Sequence, residues 1–187
     1  MNVSQTLLNS RVPDLPTGPE EVAVLLRGAG FEVSRVVPLA ELLRPVVVAH
    51  VESVTQHPSA DRLKVCVVND GTEQRLQIVT GADNVAAGAY YPVVRSGVRL
   101  PNGTKIKRGK LRGEVSEGML GSADELELGT GHAGLMTLQR EPAPGTPLPD
   151  VIQTPGVVFV IEGNPELDEI VRALGGDAPE PVAAQNE

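Results

Sequence analysis

Val46-Val47-Val48-Ala49-His50-Val51-Glu52-Ser53-Val54, which opens just after Pro45, decides the fold. Five of its nine residues are valine, and the branched side chain of valine suits a pleated surface better than a helix. Three further β-prone runs follow at short intervals: Leu63–Val68, Gln74–Val79 and Tyr91–Val94. Asn69-Asp70-Gly71 and Pro101-Asn102-Gly103 read as hairpin turns, because Asn, Asp and Gly tolerate the backbone angles such turns require. Thr104–Lys107 alternates polar and apolar residues and supplies a fifth run. Short strands at this spacing predict a small barrel or sandwich, with residues 45–120 as a five-stranded, partly closed barrel inside a domain spanning 45–150.

Working outward, residues 1–44 read as an accessory segment. Pro13 and Pro16 give residues 1–16 the character of an extended lead-in. Thr17-Gly18-Pro19-Glu20 offers a capping box for a helix over 19–28. Val22, Leu25 and Leu26 form its apolar stripe, Gly28 or Gly30 ends it, and Phe31-Glu32-Val33 begins a strand. Downstream, Ala123–Leu126 reads as a helical turn capped by Ser122, Gly134–Leu138 as a further strand, and Glu141–Pro149, with four prolines, as irregular chain. Residues 151–176 carry a strand, Val157–Ile161, and a helix over 165–174 started by Asn164-Pro165-Glu166 and striped with Leu167, Ile170, Val171 and Leu174. The Pro-, Ala- and acid-rich residues 177–187 are expected to be disordered. The fold class is mainly β, and α+β when the terminal helices are counted.

Composition narrows the function. Hydrophobic residues make up 41% of the 187, enough for a real core, yet Phe31, Tyr90, Tyr91 and Phe159 are the only aromatics. Cys66, the single cysteine, excludes a disulfide framework and reads as a small strand hydrophobe. No apolar run approaches the ~20 residues needed to span a bilayer, and the first residues lack a secretory pattern, so a cytoplasmic protein is expected. The net charge is −8, but unevenly spread: residues 45–120 hold ten cations against seven anions, while residues 121–187 hold two against twelve.

The cations concentrate in Thr104-Lys105-Ile106-Lys107-Arg108-Gly109-Lys110-Leu111-Arg112-Gly113, where five fall within eight residues. An acidic chain that collects its cations in one place usually has an anion to meet there; the alternative is a solvated edge that uses lysine to block aggregation. On a strand, Lys105 and Lys107 share one face and Ile106 turns inward, so Lys105, Lys107, Arg108, Lys110 and Arg112 are expected to meet phosphates. Two more blocks lie upstream: His57-Pro58-Ser59-Ala60-Asp61-Arg62-Leu63-Lys64-Val65 and Gln77-Ile78-Val79-Thr80-Gly81-Ala82-Asp83-Asn84. No nucleophile accompanies His57 and Asp61, and Asp61 reads as a turn-capping carboxylate. Arg62 and Lys64 extend the basic face. Asn84 is either a loop-fixing amide or a contact to the same ligand. In Ser116-Glu117-Gly118-Met119, Ser116 is placed as a hydrogen-bond donor to that ligand, Gly118 as the point where backbone approaches a neighbour, and Met119 in the core. His50, His57 and His132 stand apart, so no catalytic group, cofactor or metal site is expected.

Taken in order, the three blocks resemble the tRNA-binding oligonucleotide-binding (OB) module appended to several aminoacyl-tRNA synthetases and found in free-standing tRNA-binding proteins. The likeness is greatest to the N-terminal region of the bacterial phenylalanyl-tRNA synthetase β subunit. It extends over roughly residues 11–165, through Val12-Pro13-Asp14-Leu15-Pro16, Gly30-Phe31-Glu32-Val33 and Pro144-Gly145-Thr146-Pro147-Leu148. The resemblance implies an OB-fold barrel and a tRNA or other structured-RNA partner, without chemistry. It also admits a homodimer, as in some relatives. Where the family carries an Asn-Arg-Pro-Asp type segment, this chain has Asn164-Pro165-Glu166-Leu167-Asp168, and Gly121 stands where the family often has Cys. A free-standing relative is therefore expected, with a protein-interaction scaffold as the alternative. OB modules often stack bases on aromatics, and here only Tyr90 and Tyr91 are available, one of which must face inward. Recognition of backbone and shape, with weak sequence preference, is the expected mode.

Overall fold

The structure, a computed structural model, describes residues 1–129 and 134–177. The expected disorder of residues 178–187 and the position of His132 lie outside the described residues. In chain order the elements are β1 (Asn2–Ser4), α1 (Gln5–Arg11), α2 (Pro19–Gly28), β2 (Val33–Pro38), α3 (Leu39–Leu43), β3 (Val47–Gln56), β4 (Lys64–Asn69), β5 (Leu76–Thr80), β6 (Tyr90–Arg95), β7 (Gly109–Leu111), β8 (Glu114–Ser116), β9 (Gly118–Leu120), β10 (Val157–Ile161) and α4 (Leu167–Ala173).

Five antiparallel strands in the order β5-β4-β3-β6-β9 make a nearly closed barrel. The valine run explains itself by its two buried faces. Val47, Ala49 and Val51 point into the barrel with Cys66, Val68, Ile78 and Tyr91, while Val46 and Val48 point outward into a second cluster with Leu39, Leu43, Leu148 and Val158. A strand covered on both sides loses its polar alternation. Cys66 behaves as the expected hydrophobe, and burial pushes its thiol up to about 11.

The fifth stave corrects the sequence reading: it is β9, not Thr104–Lys107. That segment folds back on residues 97–100 across the Pro101-Asn102-Gly103 turn, with Ile106 donating to Val98 O and Gly97 to Ile106 O, each at 2.8 Å. Its backbone groups are spent locally, and the edge of β6 falls to Gly118–Leu120. The approach is tight there, since a Cβ on Gly118 would lie 2.6 Å from Val94 O. Met119 packs in the second cluster, as expected. The remaining seam is closed between β5 and the β8–β9 junction. Glu117 N–H donates to Gln77 O at 2.9 Å, and Gln77 N–H donates to a Glu117 carboxylate oxygen at 3.0 Å.

A second sheet, β1-β10-β2, gathers residues from both ends of the described chain and is covered by α1, α2 and α4. The extended lead-in expected over 1–16 is replaced by β1 and α1. Val3 and Leu8 are fully buried, and Ser4 caps α1 by accepting the Leu7 N–H at 3.0 Å. Helix α2 spans 19–28 as expected, but its N-cap is Gly18 and no side chain caps it. Gly30, at φ +93°, ends it, with Phe31 N–H reaching back to Leu26 O. Its buried stripe is Val22, Ala23 and Leu26, while Val24 (64%) and Leu25 (45%) face solvent. Helix α4 begins at Leu167, two residues later than expected; it buries Ile170 and Val171, and Ile170 joins the cluster that holds Phe159.

Gly134–Leu138, expected as a strand, forms one isolated bridge, Ser122 to Leu135. The turn at 123–126 is capped by Ser122 as expected: Glu125 N–H donates to Ser122 Oγ at 3.4 Å, and Ser122 N–H to the Glu125 carboxylate at 3.0 Å. Among the described residues no helix is long and apolar enough to cross a membrane.

Candidate nucleic-acid interface

The basic run is divided between two hairpins. Lys105 and Lys107 are exposed on the 97–107 hairpin, with Ile106 between them turned toward the second cluster. This is the expected alternation on a different element. Lys110 and Arg112 belong to the β7–β8 hairpin, whose register pairs Leu111 with Glu114 and leaves Arg112-Gly113 as a two-residue turn. Both turn residues have positive φ, +52° and +101°, the signature of a type I′ turn matched to strand twist. An arginine in this left-handed position is uncommon, and it sets Arg112 at the hairpin tip. Arg108 lies between the hairpins, its N–H held by Ser96 Oγ at 2.8 Å and its guanidinium 3.6 Å from Glu117.

The three sequence blocks converge. The first, residues 57–65, is a loop closed on itself: His57 N–H donates to Leu63 O at 3.0 Å and Leu63 N–H to Ala60 O at 3.1 Å. Gln56 Nε2 donates to the carbonyls of Ala60, Asp61 and Leu63. The capping role expected of the Asp61 carboxylate is thus filled by the Gln56 amide and the His57 ring, and Asp61 faces solvent. The loop meets the third block where the His57 ring lies 2.9 Å from Leu111 O. It meets the second where Lys64 Nζ donates to Asp83 O at 3.0 Å.

Two expected contact residues are hydrogen-bonded within the protein. Ser116 is buried, its hydroxyl donating to Gly118 O and accepting the Val79 N–H at 3.1 Å. It belongs to the barrel seam. The Asn84 amide spans Leu135, donating to its carbonyl at 2.8 Å and accepting from its N–H at 2.9 Å, as a loop-fixing amide does, while the residue itself stays exposed. Tyr91 is 1% exposed with its hydroxyl on Asn84 O and Ala86 N, so no base can reach its ring. Tyr90 faces the other side, half-buried, with its ring 4.8 Å from that of His50.

Arg11, Arg44, Arg75 and Arg95 each face a carboxylate. Arg62, Lys105, Lys107, Lys110 and Arg112 are exposed, and among the described residues no ion pair or hydrogen bond holds their side chains; the same is true of Arg35, Arg140 and Arg172, which lie outside the three blocks. Sequence reasoning did not place His57 in the interface. The available signal was the histidine's place in the block that carries Arg62 and Lys64, but its partner, a backbone carbonyl, carries no sequence mark.

The profile of the family described as "Putative tRNA binding domain" matches residues 46–147. The chain is 42% identical over 158 residues to the phenylalanine–tRNA ligase beta subunit of Bordetella bronchiseptica, covering 84% of this chain and 20% of that protein. It is 39% identical over 175 residues to the same subunit from Oleidesulfovibrio alaskensis, covering 94% and 22%. The chain therefore spans about a fifth of the length of the curated relatives it matches. A solved MetRS-related protein from Pyrococcus horikoshii aligns with 54% of this chain and 85% of its own at 23% identity, with a TM-score of 0.40.

Proposed function

We propose, on the premise that this chain belongs to the putative tRNA-binding domain family, that it binds tRNA through phosphate contacts and contributes no bond-making group of its own. The observation that carries this reading is that Arg62, Lys105, Lys107, Lys110 and Arg112, exposed and unpaired among the described residues, lie in the converging blocks of a chain of net charge −8. Left without partners on the protein, they keep their attraction for phosphate oxygens, which is sequence-independent. Lys64 and Arg108 stand at the margins, already engaged with Asp83 O and Glu117. With Tyr91 buried, Tyr90 is the one tyrosine open to base stacking, which supports backbone and shape over base reading. A cytoplasmic location follows from this reading.

The test is tRNA affinity against salt. Three to five phosphates engaged predict a log–log slope of roughly −2 to −3.5, at about −0.7 per single-stranded contact. Lys105→Glu with Lys107→Glu should lower affinity about tenfold or more and to a similar extent for every RNA, with little change in stability. Unchanged affinity in a folded double variant would overturn the assignment. The exposed pair Val24 and Leu25 on α2 favours the alternative of a protein-interaction scaffold, which expects no tRNA binding even at low salt.

A further inference from the structure

The His57 ring is bound at both nitrogens. Nδ1 lies 3.0 Å from the Ser59 N–H, and Nε2 lies 2.9 Å from Leu111 O. A carbonyl oxygen only accepts and a backbone N–H only donates, so one neutral tautomer satisfies both: hydrogen on Nε2, lone pair on Nδ1. His57 is buried, 3% exposed as a residue, and both bonds are part-buried.

What these bonds join matters more than the ring itself. On one side is the closed 57–63 loop, carrying Arg62 and leading into Lys64. On the other is β7, whose three residues are all exposed and whose Leu111 side chain is 43% exposed. Leu111 belongs to none of the three hydrophobic clusters of the described residues. Besides its pairing with β8, the hydrogen bond from His57 ties it to the rest of the barrel. Lys110 and Arg112 are the chain neighbours of the residue so tied.

We infer that His57 is a positioning residue: its Nε2–H bond to Leu111 O fixes Lys110 and Arg112 relative to Arg62 and Lys64, so that loop and hairpin engage phosphates of one RNA together. Groups already held in register bind a multivalent anion without losing freedom on binding. The inference rests on the tRNA-binding reading above, and its test separates the two.

The experiment compares His57→Asn with His57→Gln in the full chain, using tRNA as the probe. Asn, with its shorter amide, can accept the Ser59 N–H, as Asn does toward a backbone two residues on, but stops short of Leu111. Gln can place its amide N–H near the position of Nε2. His57→Asn is expected to lose affinity about tenfold and to flatten the salt slope by about 0.7–1.4, the equivalent of one or two phosphates. His57→Gln should recover most of both. Wild-type affinity and slope in His57→Asn would overturn the inference. So would a loss of affinity at unchanged slope, the mark of a structural lesion alone. Should His57→Asn fail to fold, the imidazole nitrogen-15 spectrum of the wild-type chain decides: the inference requires hydrogen on Nε2 and a bare Nδ1, and the opposite tautomer overturns it. A wild-type chain that binds no tRNA overturns the functional reading itself, and the inference with it.

Discussion

The barrel and the three-stranded sheet are both antiparallel, but they are assembled over different distances along the chain. In the barrel, β3, β4 and β5 are consecutive and pair with their neighbours in sequence. In the sheet, β10 takes β1 on one edge and β2 on the other, so residues 157–161 close onto residues 2–4 and 33–38. Ordering a long intervening chain costs entropy before any contact is made. The barrel can therefore form from local hairpins, whereas the sheet waits for both ends to arrive. The shared cluster of Val46, Val48, Leu148 and Val158 joins them afterwards.

The largest effect expected from breaking this comparison comes from core truncation on each side. Phe159→Ala in the sheet should cost about 3–5 kcal/mol and Ile78→Ala in the barrel about 2–5 kcal/mol, since both side chains are fully buried. Stopped-flow kinetics sharpen it. Ile78→Ala should slow folding, and Phe159→Ala should mainly speed unfolding. Slower folding in both would mean that the sheet forms with the barrel.

Two buried carboxylates give a smaller and oppositely signed pair. For Asp70, at the end of β4, burial alone would raise the carboxyl, but donors from Thr72 and from the Arg95 guanidinium outweigh it and hold it below its usual range. For Glu127, burial is the largest influence, and Asp124 adds to it. The hydroxyl of Ser4, at 2.5 Å, offsets only part, and the carboxyl is raised. The Asp70 contribution is present above the unfolded carboxyl value and is lost as pH falls through the lower folded one. Glu127 contributes fully below its unfolded value, and that contribution is lost as pH rises through the folded one. Asp70→Asn should therefore cost about 1–3 kcal/mol at neutral pH, the difference shrinking in acid. Glu127→Gln should remove a decline in stability with rising pH that the wild type shows. Urea unfolding from pH 3 to 8 measures both, and parallel profiles for the two variants would contradict the assignment.

The smallest effect concerns α2. Leu25→Lys should change stability by less than about 0.5 kcal/mol, while Leu26→Ala one position on should cost about 2–5 kcal/mol. A large loss at Leu25 would return it to the stripe from which the structure removes it.

The sequence by itself determined what depends on neighbours in the chain. Valine content and turn residues specified the barrel strands, the Ser122–Glu125 cap is local, and the spacing of Pro19 and Gly30 bounded α2. Spacing also put Lys105 and Lys107 on one side of Ile106. Tertiary structure alone decided what depends on partners far along the chain. Residues 2–4 become a strand because β10 offers them an edge. Leu25 loses to Ala23 because the sheet lies under one side of α2. Gly118–Leu120 displaces Thr104–Lys107 from the barrel because the latter satisfies its backbone in its own hairpin. The same holds in the interface: the type of each cation is written in the chain, but which of them stay unpaired, and that a histidine ties their loop to their hairpin through a backbone carbonyl, follows from packing. Such bonds use groups every residue shares, and so leave no trace in the order of side chains.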